Sequence, residues 1–202
     1  MREKAPVPKR PLGKPSHEIR IIGGQWKRTK LRVADKPGLR PTPDRVRETL
    51  FNWLGQDLTG WRCMDVFAGT GVLGFEAASR GAADVLLCEQ DPGLVLQLKA
   101  VQGKLAANMC RIERGDGLSA LKRVPAGSLQ LVLLDPPFES TFFESALKAA
   151  AQAIGPTGVV YLEAPKPWND EELAPLGLQV HRSSKAGAVH FHLLARLGAL
   201  AA

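Results

Sequence analysis

From Pro43 onwards the apolar positions change period repeatedly, which predicts helices and strands in turn. Val46, Leu50, Phe51 and Leu54 recur at helical spacing behind a Thr42-Pro43 start, predicting a helix over 43–54. A short apolar run over 63–67 ends in glycines and reads as a strand, followed by a helix over 72–80. Strand 85–88, helix 92–107, a weak strand over 111–114 and a short helix over 118–123 continue the alternation. The strongly apolar 129–134 is the next strand, then a helix over 142–154 and a strand over 159–162. A helical turn over 170–173 precedes 178–183 and 189–195, two runs able to pair as a closing hairpin. Continuous apolar strands between helices imply an α/β fold, with a largely parallel sheet covered on both faces. Ligands of such sheets lie at the carboxyl ends of the strands, near the topological switch point.

Ahead of this body, 19–24 and 30–33 are short alternating runs about a Gly-Gly-Gln-Trp turn region, a predicted hairpin. Its exposed face carries Arg20, Lys27, Arg28, Lys30 and Arg32. Trp26 stands among these charges, either to stack a nucleic-acid base or to cover the edge of the core. Three segments are therefore expected: a basic, proline-rich arm over 1–18, a hairpin and helix over 19–54, and a catalytic body over 55–202. The arm reads without regular structure, as either a solvated tail or a nucleic-acid contact.

Charge sharpens this division. The chain of 202 residues carries 27 Lys+Arg against 20 Asp+Glu, a net of +7. Residues 1–47 hold 14 Lys+Arg and 4 Asp+Glu, a net of +10, so the remainder is slightly acidic at −3. Such asymmetry points to an acidic partner, nucleic acid or a membrane surface. No run of about 18 apolar residues is present, and the first residues lack the apolar stretch of a secretory signal. Cys63, Cys88 and Cys110 are odd in number and widely spaced, which reads as buried thiols in a reducing cytoplasm. Neither they nor the scattered histidines (His17, His181, His190, His192) form a metal set, so no metal is expected.

The candidate chemistry lies just after the strands. Asp65-Val66-Phe67-Ala68-Gly69-Thr70-Gly71-Val72-Leu73-Gly74 is a G-x-G-x-x-G between strand and helix, the context that motif requires. Its glycines allow a tight turn and close approach of a ligand, suiting a dinucleotide or S-adenosylmethionine. Glu89, ending the second strand of the body, is placed to accept from both hydroxyls of a ribose. Asp116, before Gly117, is either an acceptor for an adenine amine or an ordinary helix N-cap.

After the fourth strand of the body comes Asp135-Pro136-Pro137-Phe138. Proline removes competing amides, so the Asp135 carboxylate and the Pro136 carbonyl can both accept from one planar amino group. Phe138 is placed to stack on the ring bearing it. An exocyclic amine is a poor nucleophile, and two acceptors on its protons favour the charge that develops as nitrogen attacks.

This tetrad resembles the D/N-P-P-Y/F/W motif of amino-methyltransferases, and 65–74 resembles their S-adenosylmethionine loop. More specifically, the chain resembles the RsmD family of bacterial 16S rRNA guanine-N2 methyltransferases over about residues 19–195. The resemblance rests on Arg20-Ile21-Ile22-Gly23-Gly24-Gln25-Trp26, on Arg40-Pro41-Thr42-Pro43-Asp44-Arg45-Val46-Arg47-Glu48-Thr49-Leu50-Phe51-Asn52-Trp53-Leu54, on the glycine loop and on the tetrad. It implies a Rossmann-like class I fold with a seven-stranded mixed sheet, preceded by the basic hairpin and helix. It implies S-adenosylmethionine as cofactor, bound by Asp65, Phe67, Gly69, Thr70, Gly71, Glu89, Asp116 and Gly117, with S-adenosylhomocysteine as product. It implies that 40–45 packs beside the cofactor pocket, and that Asp135, Pro136, Pro137 and Phe138 hold the amine. The substrate it implies is a guanine of 16S rRNA, numbered 966 by family convention, in the assembled or nearly assembled 30S subunit. Arg20, Trp26, Lys27, Arg28, Arg40, Arg45 and Arg47 are then expected to contact the RNA of this cytoplasmic, monomeric enzyme. An adenine-N6 methyltransferase shares the tetrad, and a nicotinamide oxidoreductase shares the glycine loop.

Overall fold

Two three-residue strands, β1 (Glu18–Arg20) and β2 (Lys30–Arg32), pair antiparallel with Ile19 opposite Leu31. The structure is a computed structural model and describes residues 18–34, 36, 39, 41–137 and 141–199, so the arm expected over 1–18 lies outside the described residues but for Glu18, which belongs to β1. The strands are shorter than expected because the chain turns at once: Ile21 and Arg28 are joined by a backbone hydrogen bond, with Arg28 at φ 73°. Helix α1 (Asp44–Trp53) follows. The body then runs β3 (Arg62–Asp65), α2 (Val72–Ser79), β4 (Asp84–Glu89), α3 (Pro92–Leu105), β5 (Cys110–Arg114), α4 (Gly117–Arg123), β6 (Leu129–Leu134) and α5 (Phe143–Ala153). It closes with β7 (Ile154–Ala164), α6 (Asp170–Leu173), β8 (Leu178–Ala186) and β9 (Val189–Arg196).

The body forms one seven-stranded mixed sheet in the order β5-β4-β3-β6-β7-β9-β8. Its first five strands are parallel, and β9 inserts antiparallel between β7 and β8. The strand order reverses between β3 and β6, which opens a crevice above their carboxyl ends. Leu131 to Leu134 in β6 are all fully buried, the cause of their continuous apolar run. β7 is longer than expected at both ends: it takes Ile154 from the preceding helix and reaches past Leu162 to include Glu163.

One face of the sheet is covered by the hairpin, α1, α2 and α3, with Ile21, Leu31, Leu50, Phe51, Phe75 and Leu98 in one core. The other is covered by α4, α5 and α6 around Leu121, Leu147 and Leu173. The hairpin is thus part of the core, and Trp26 is half-buried against it, at the core edge. Cys63, Cys88 and Cys110 are buried, and burial pushes each thiol up to about 12.

A charged clamp ties hairpin and α1 to α2. Arg47 is fully buried, with Nη1 2.5 Å from Glu76 Oε1 and Nη2 2.5 Å from Asp44 Oδ1. Its Nε donates to the Thr42 carbonyl and Nη1 to the Arg20 carbonyl, each at 3.0 Å. Glu76 also accepts from the Ile22 amide at 2.7 Å and from Arg80, whose guanidinium lies over the Phe51 ring. The expected contact between Arg47 and RNA phosphate is therefore corrected. Every face of this guanidinium is engaged inside the protein, where desolvation forces it to keep those partners.

Candidate active site

The glycine loop joins β3 to α2 with Gly69 at φ 51° and Gly71 at φ 76°, a left-handed geometry that L side chains resist. A Cβ on Gly71 would stand 2.4 Å from Leu98 Cδ2, and one on Gly74 would stand 2.8 Å from Leu87 Cδ2. These two glycines therefore let α2 sit close to the sheet and to α3. Gly71 is also the N-cap and has no side chain to cap α2, so the Val72 amide donates to Thr70 Oγ1 at 3.4 Å and the Gly74 amide to Asp65 from below. Thr70 is buried beside them, and Phe67 is half-buried against the opposite core.

Asp65 lies beneath the loop. Its Oδ2 accepts from the Gly74 amide at 3.0 Å, and burial pushes the carboxyl up to about 7. It shapes the loop from below, being only 2% exposed. Glu89 ends β4 half-buried at the crevice, with Oε2 accepting from the Gly69 amide and Oε1 from the Asp91 amide, both at 2.8 Å. Each oxygen keeps a second lone pair for a ligand. Asp116 caps α4, accepting from the Leu118 and Ser119 amides at 3.2 Å and from Ser119 Oγ at 2.6 Å. Those bonds, led by the Ser119 hydroxyl, hold its carboxyl below the usual range. The N-cap alternative is the one the structure shows. Beside it, a Cβ on Gly117 would meet the Val66 carbonyl oxygen at 1.9 Å, so only glycine lets this turn approach the loop.

Residues before α1 reach the same crevice. Lys36 pairs with Asp91, and Leu39 lies over Gly69, close enough that a Cβ there would meet its Cδ1 at 3.2 Å. Lys36 and Leu39 therefore lie beside the glycine loop. Neither Lys36 nor Leu39 carried a sequence signal, because their partners lie far along the chain.

Asp135 follows β6 half-buried, Pro136 is buried and Pro137 exposed, while Phe138 and Arg40 lie outside the described residues. Burial first, then the charges of Glu163 and Asp65, holds the Asp135 carboxyl well above the usual carboxylate range. Glu163 is the residue the sequence reading missed. It is 5% exposed, and its Oε1 accepts from the Tyr161 hydroxyl at 2.9 Å. Burial raises its carboxyl above the usual range, and the Tyr161 and Thr42 hydroxyls oppose that rise. Tyr and Glu two positions apart in an apolar strand was the available signal, hidden by ending that strand at Leu162.

Of the expected RNA contacts, Lys27, Arg28 and Arg45 are exposed. Arg20 is exposed and lies 3.5 Å from Asp44. With Arg47 withdrawn into the core, the expected RNA contacts that are exposed among the described residues are Arg20, Lys27 and Arg28 of the hairpin and Arg45 of α1.

The chain is similar in sequence and in fold to known proteins. Ribosomal RNA small subunit methyltransferase D of Escherichia coli (strain K12) is 39% identical over 193 residues, covering 92% of this chain and 96% of that protein. The Haemophilus influenzae protein of the same name is 40% identical over 155 residues, covering 74% of this chain and 80% of its own length. A solved Escherichia coli structure described as a methyltransferase superposes with a TM-score of 0.77 at 36% identity, covering 89% of this chain and 98% of that one. The sequence profile described as "Conserved hypothetical protein 95" matches residues 19–195. The chain belongs to this family, the RsmD family that its glycine loop and Asp-Pro-Pro-Phe tetrad resemble.

Proposed function

We propose that this protein methylates ribosomal RNA, moving a methyl group from S-adenosylmethionine to the exocyclic N2 amine of a guanine in 16S rRNA of the small subunit. The names of its relatives support ribosomal RNA as the substrate class. The observation that carries the reaction type is Asp135-Pro136-Pro137 at the end of β6, on the switch-point crevice shared with the glycine loop.

The crevice fits the cofactor. A tight glycine loop after β3, the close approach of the Gly117 turn to it and the free lone pairs of Glu89 suit a nucleoside at the carboxyl ends of the strands. When bound, S-adenosylmethionine supplies an electrophilic methyl group on a cationic sulfur. Glu89 would accept from the ribose hydroxyls, and the Gly117 turn, packed on the Val66 carbonyl, would border the base. Asp135 and the Pro136 carbonyl accept the two protons of the guanine amine and turn its lone pair towards the methyl group. Lys27, Arg28 and Arg45 hold phosphates and position the RNA without reading its sequence. The enzyme acts as a single chain in the cytoplasm, where its small-subunit substrate is found.

Offering tritium-methyl S-adenosylmethionine with naked 16S rRNA, free small subunits or duplex DNA tests this reading. Transfer to small subunits in preference to both alternatives is expected. Label going to duplex DNA, or to none of the three, contradicts it.

A further inference from the structure

The register of the two central strands places two acids side by side. Leu133 pairs with Tyr161 and Leu134 with Leu162, so the next residues, Asp135 and Glu163, stand beside each other at the crevice floor. Both lie on the face of the sheet that carries Tyr161, since side chains alternate along each strand. The Tyr161 hydroxyl donates to the Glu163 carboxylate from two residues back at 2.9 Å, and this hydroxyl and that of Thr42 oppose the rise that burial imposes on it. Asp65 stands below, in register with Leu133 on the neighbouring strand. From β9, the residue opposite Glu163 is Phe191, which offers no charge. The groups facing the pair from the described elements are thus Asp65, Tyr161 and the Thr42 hydroxyl.

We propose that Glu163 is a positioning residue that shares one proton with Asp135, and that the pair releases this proton when the cationic cofactor binds and regains one from the substrate amine. This rests on the reading of S-adenosylmethionine as cofactor. Two carboxylates held together in a buried site do not both ionise readily, so one proton stays with the pair. The hydrogen bond from Tyr161 favours the ionised form of Glu163, so the shared proton is biased towards Asp135. A cation at the crevice favours ionisation of both, which turns Asp135 into a full acceptor when an amine is to be held. The step balances. The amine lone pair forms the new N–C bond, the C–S electron pair stays on sulfur, and the departing N–H proton goes to the Asp135 carboxylate. The pair then holds one proton beside a neutral sulfide, its original state.

Calorimetry of cofactor binding in buffers of different ionisation enthalpy counts the released protons. S-adenosylhomocysteine shares every group of the cofactor except the methyl and its charge, so the difference between the two ligands isolates the pair. The wild type should release up to one more proton with S-adenosylmethionine than with S-adenosylhomocysteine. Its affinity for the former should then rise by up to about tenfold per pH unit relative to the latter. The effect fades at high pH, where the free pair is already ionised, and at low pH, where the bound pair keeps its proton. Glu163→Gln should abolish the difference between ligands. Tyr161→Phe keeps the ring packing but removes a donor to the Glu163 carboxylate, so it should move the release window towards alkaline pH by about one unit. Equal proton release with both ligands in the wild type overturns the proposal, as does a Glu163→Gln variant that still shows the difference. If Glu163→Gln does not fold, an unmoved window in Tyr161→Phe overturns it. Failure of both ligands to bind speaks against the cofactor reading instead.

Discussion

Replacing Arg47 by methionine tests whether this arginine holds the fold together or meets RNA. The substitution preserves much of the aliphatic stem and removes the guanidinium. Lost with it are the ion pairs to Glu76 and Asp44 and the hydrogen bonds to two carbonyls. Removing one partner of a buried ion pair costs about 3–5 kcal/mol, most of it from the charge left behind. Here Glu76 keeps Arg80 and the Ile22 amide, and Asp44 is partly exposed near Arg20, so the lower end of that range, about 3 kcal/mol, applies. For a chain of this size each kcal/mol moves the thermal midpoint by about 2–4 °C, so a fall of about 6–12 °C is expected. Differential scanning fluorimetry reads this directly, with the exposed Arg45→Met as a control expected to shift stability by no more than about 0.5 kcal/mol. Below the transition, Arg47→Met should leave the salt dependence of RNA binding unchanged. Equal and small shifts for both variants, with a flatter salt slope for Arg47→Met, would refute the clamp and restore Arg47 to the RNA surface.

Other outcomes follow from the same geometry. Asp65 is held near 7 in the fold against 3.8 when exposed, so stability falls as pH rises between those values. Asp65→Asn should abolish that slope and gain up to ~4 kcal/mol over the wild type at pH 8, read from denaturant midpoints at pH 4 and pH 8. Gly117→Ala drives a methyl into the Val66 carbonyl and should weaken cofactor binding at least about tenfold by calorimetry, since backbone must move to admit it. Lys27→Gln with Arg28→Gln should flatten the slope of log affinity against log salt by about 1.4, the loss of two single-strand phosphate contacts. Asp135→Ala should lower single-turnover methyl transfer at least about 100-fold, with saturation by cofactor still observed.

The sheet was legible because the centre of β6, Leu131 to Leu134, is buried on both faces and apolar at each of those positions. The glycine loop was legible because its left-handed φ values and tight packing admit almost nothing else. Arg47 was not. A charge count treats every arginine as solvated, and the partner that draws this one inside, Glu76, lies 29 residues away on another helix. Glu163 escaped because a carboxylate ended the apolar run by which the strand was recognised. Its neighbours Asp135 and Thr42 become neighbours only through strand register and the return of the segment before α1. The hairpin was legible as a basic ribbon, while its other face was not. Ile21 and Leu31 are core residues, so deleting the first 33 residues would remove packing as well as charge.

The crevice beside Asp135 acts on one amine, and its product identifies which. Small subunits from cells lacking this protein, incubated with the purified enzyme and labelled S-adenosylmethionine, can be digested to nucleosides and resolved by mass spectrometry. N2-methylguanosine at one site, absent with Asp135→Ala, is the predicted product. Label in N6-methyladenosine, or equal labelling by the Asp135→Ala variant, contradicts the account.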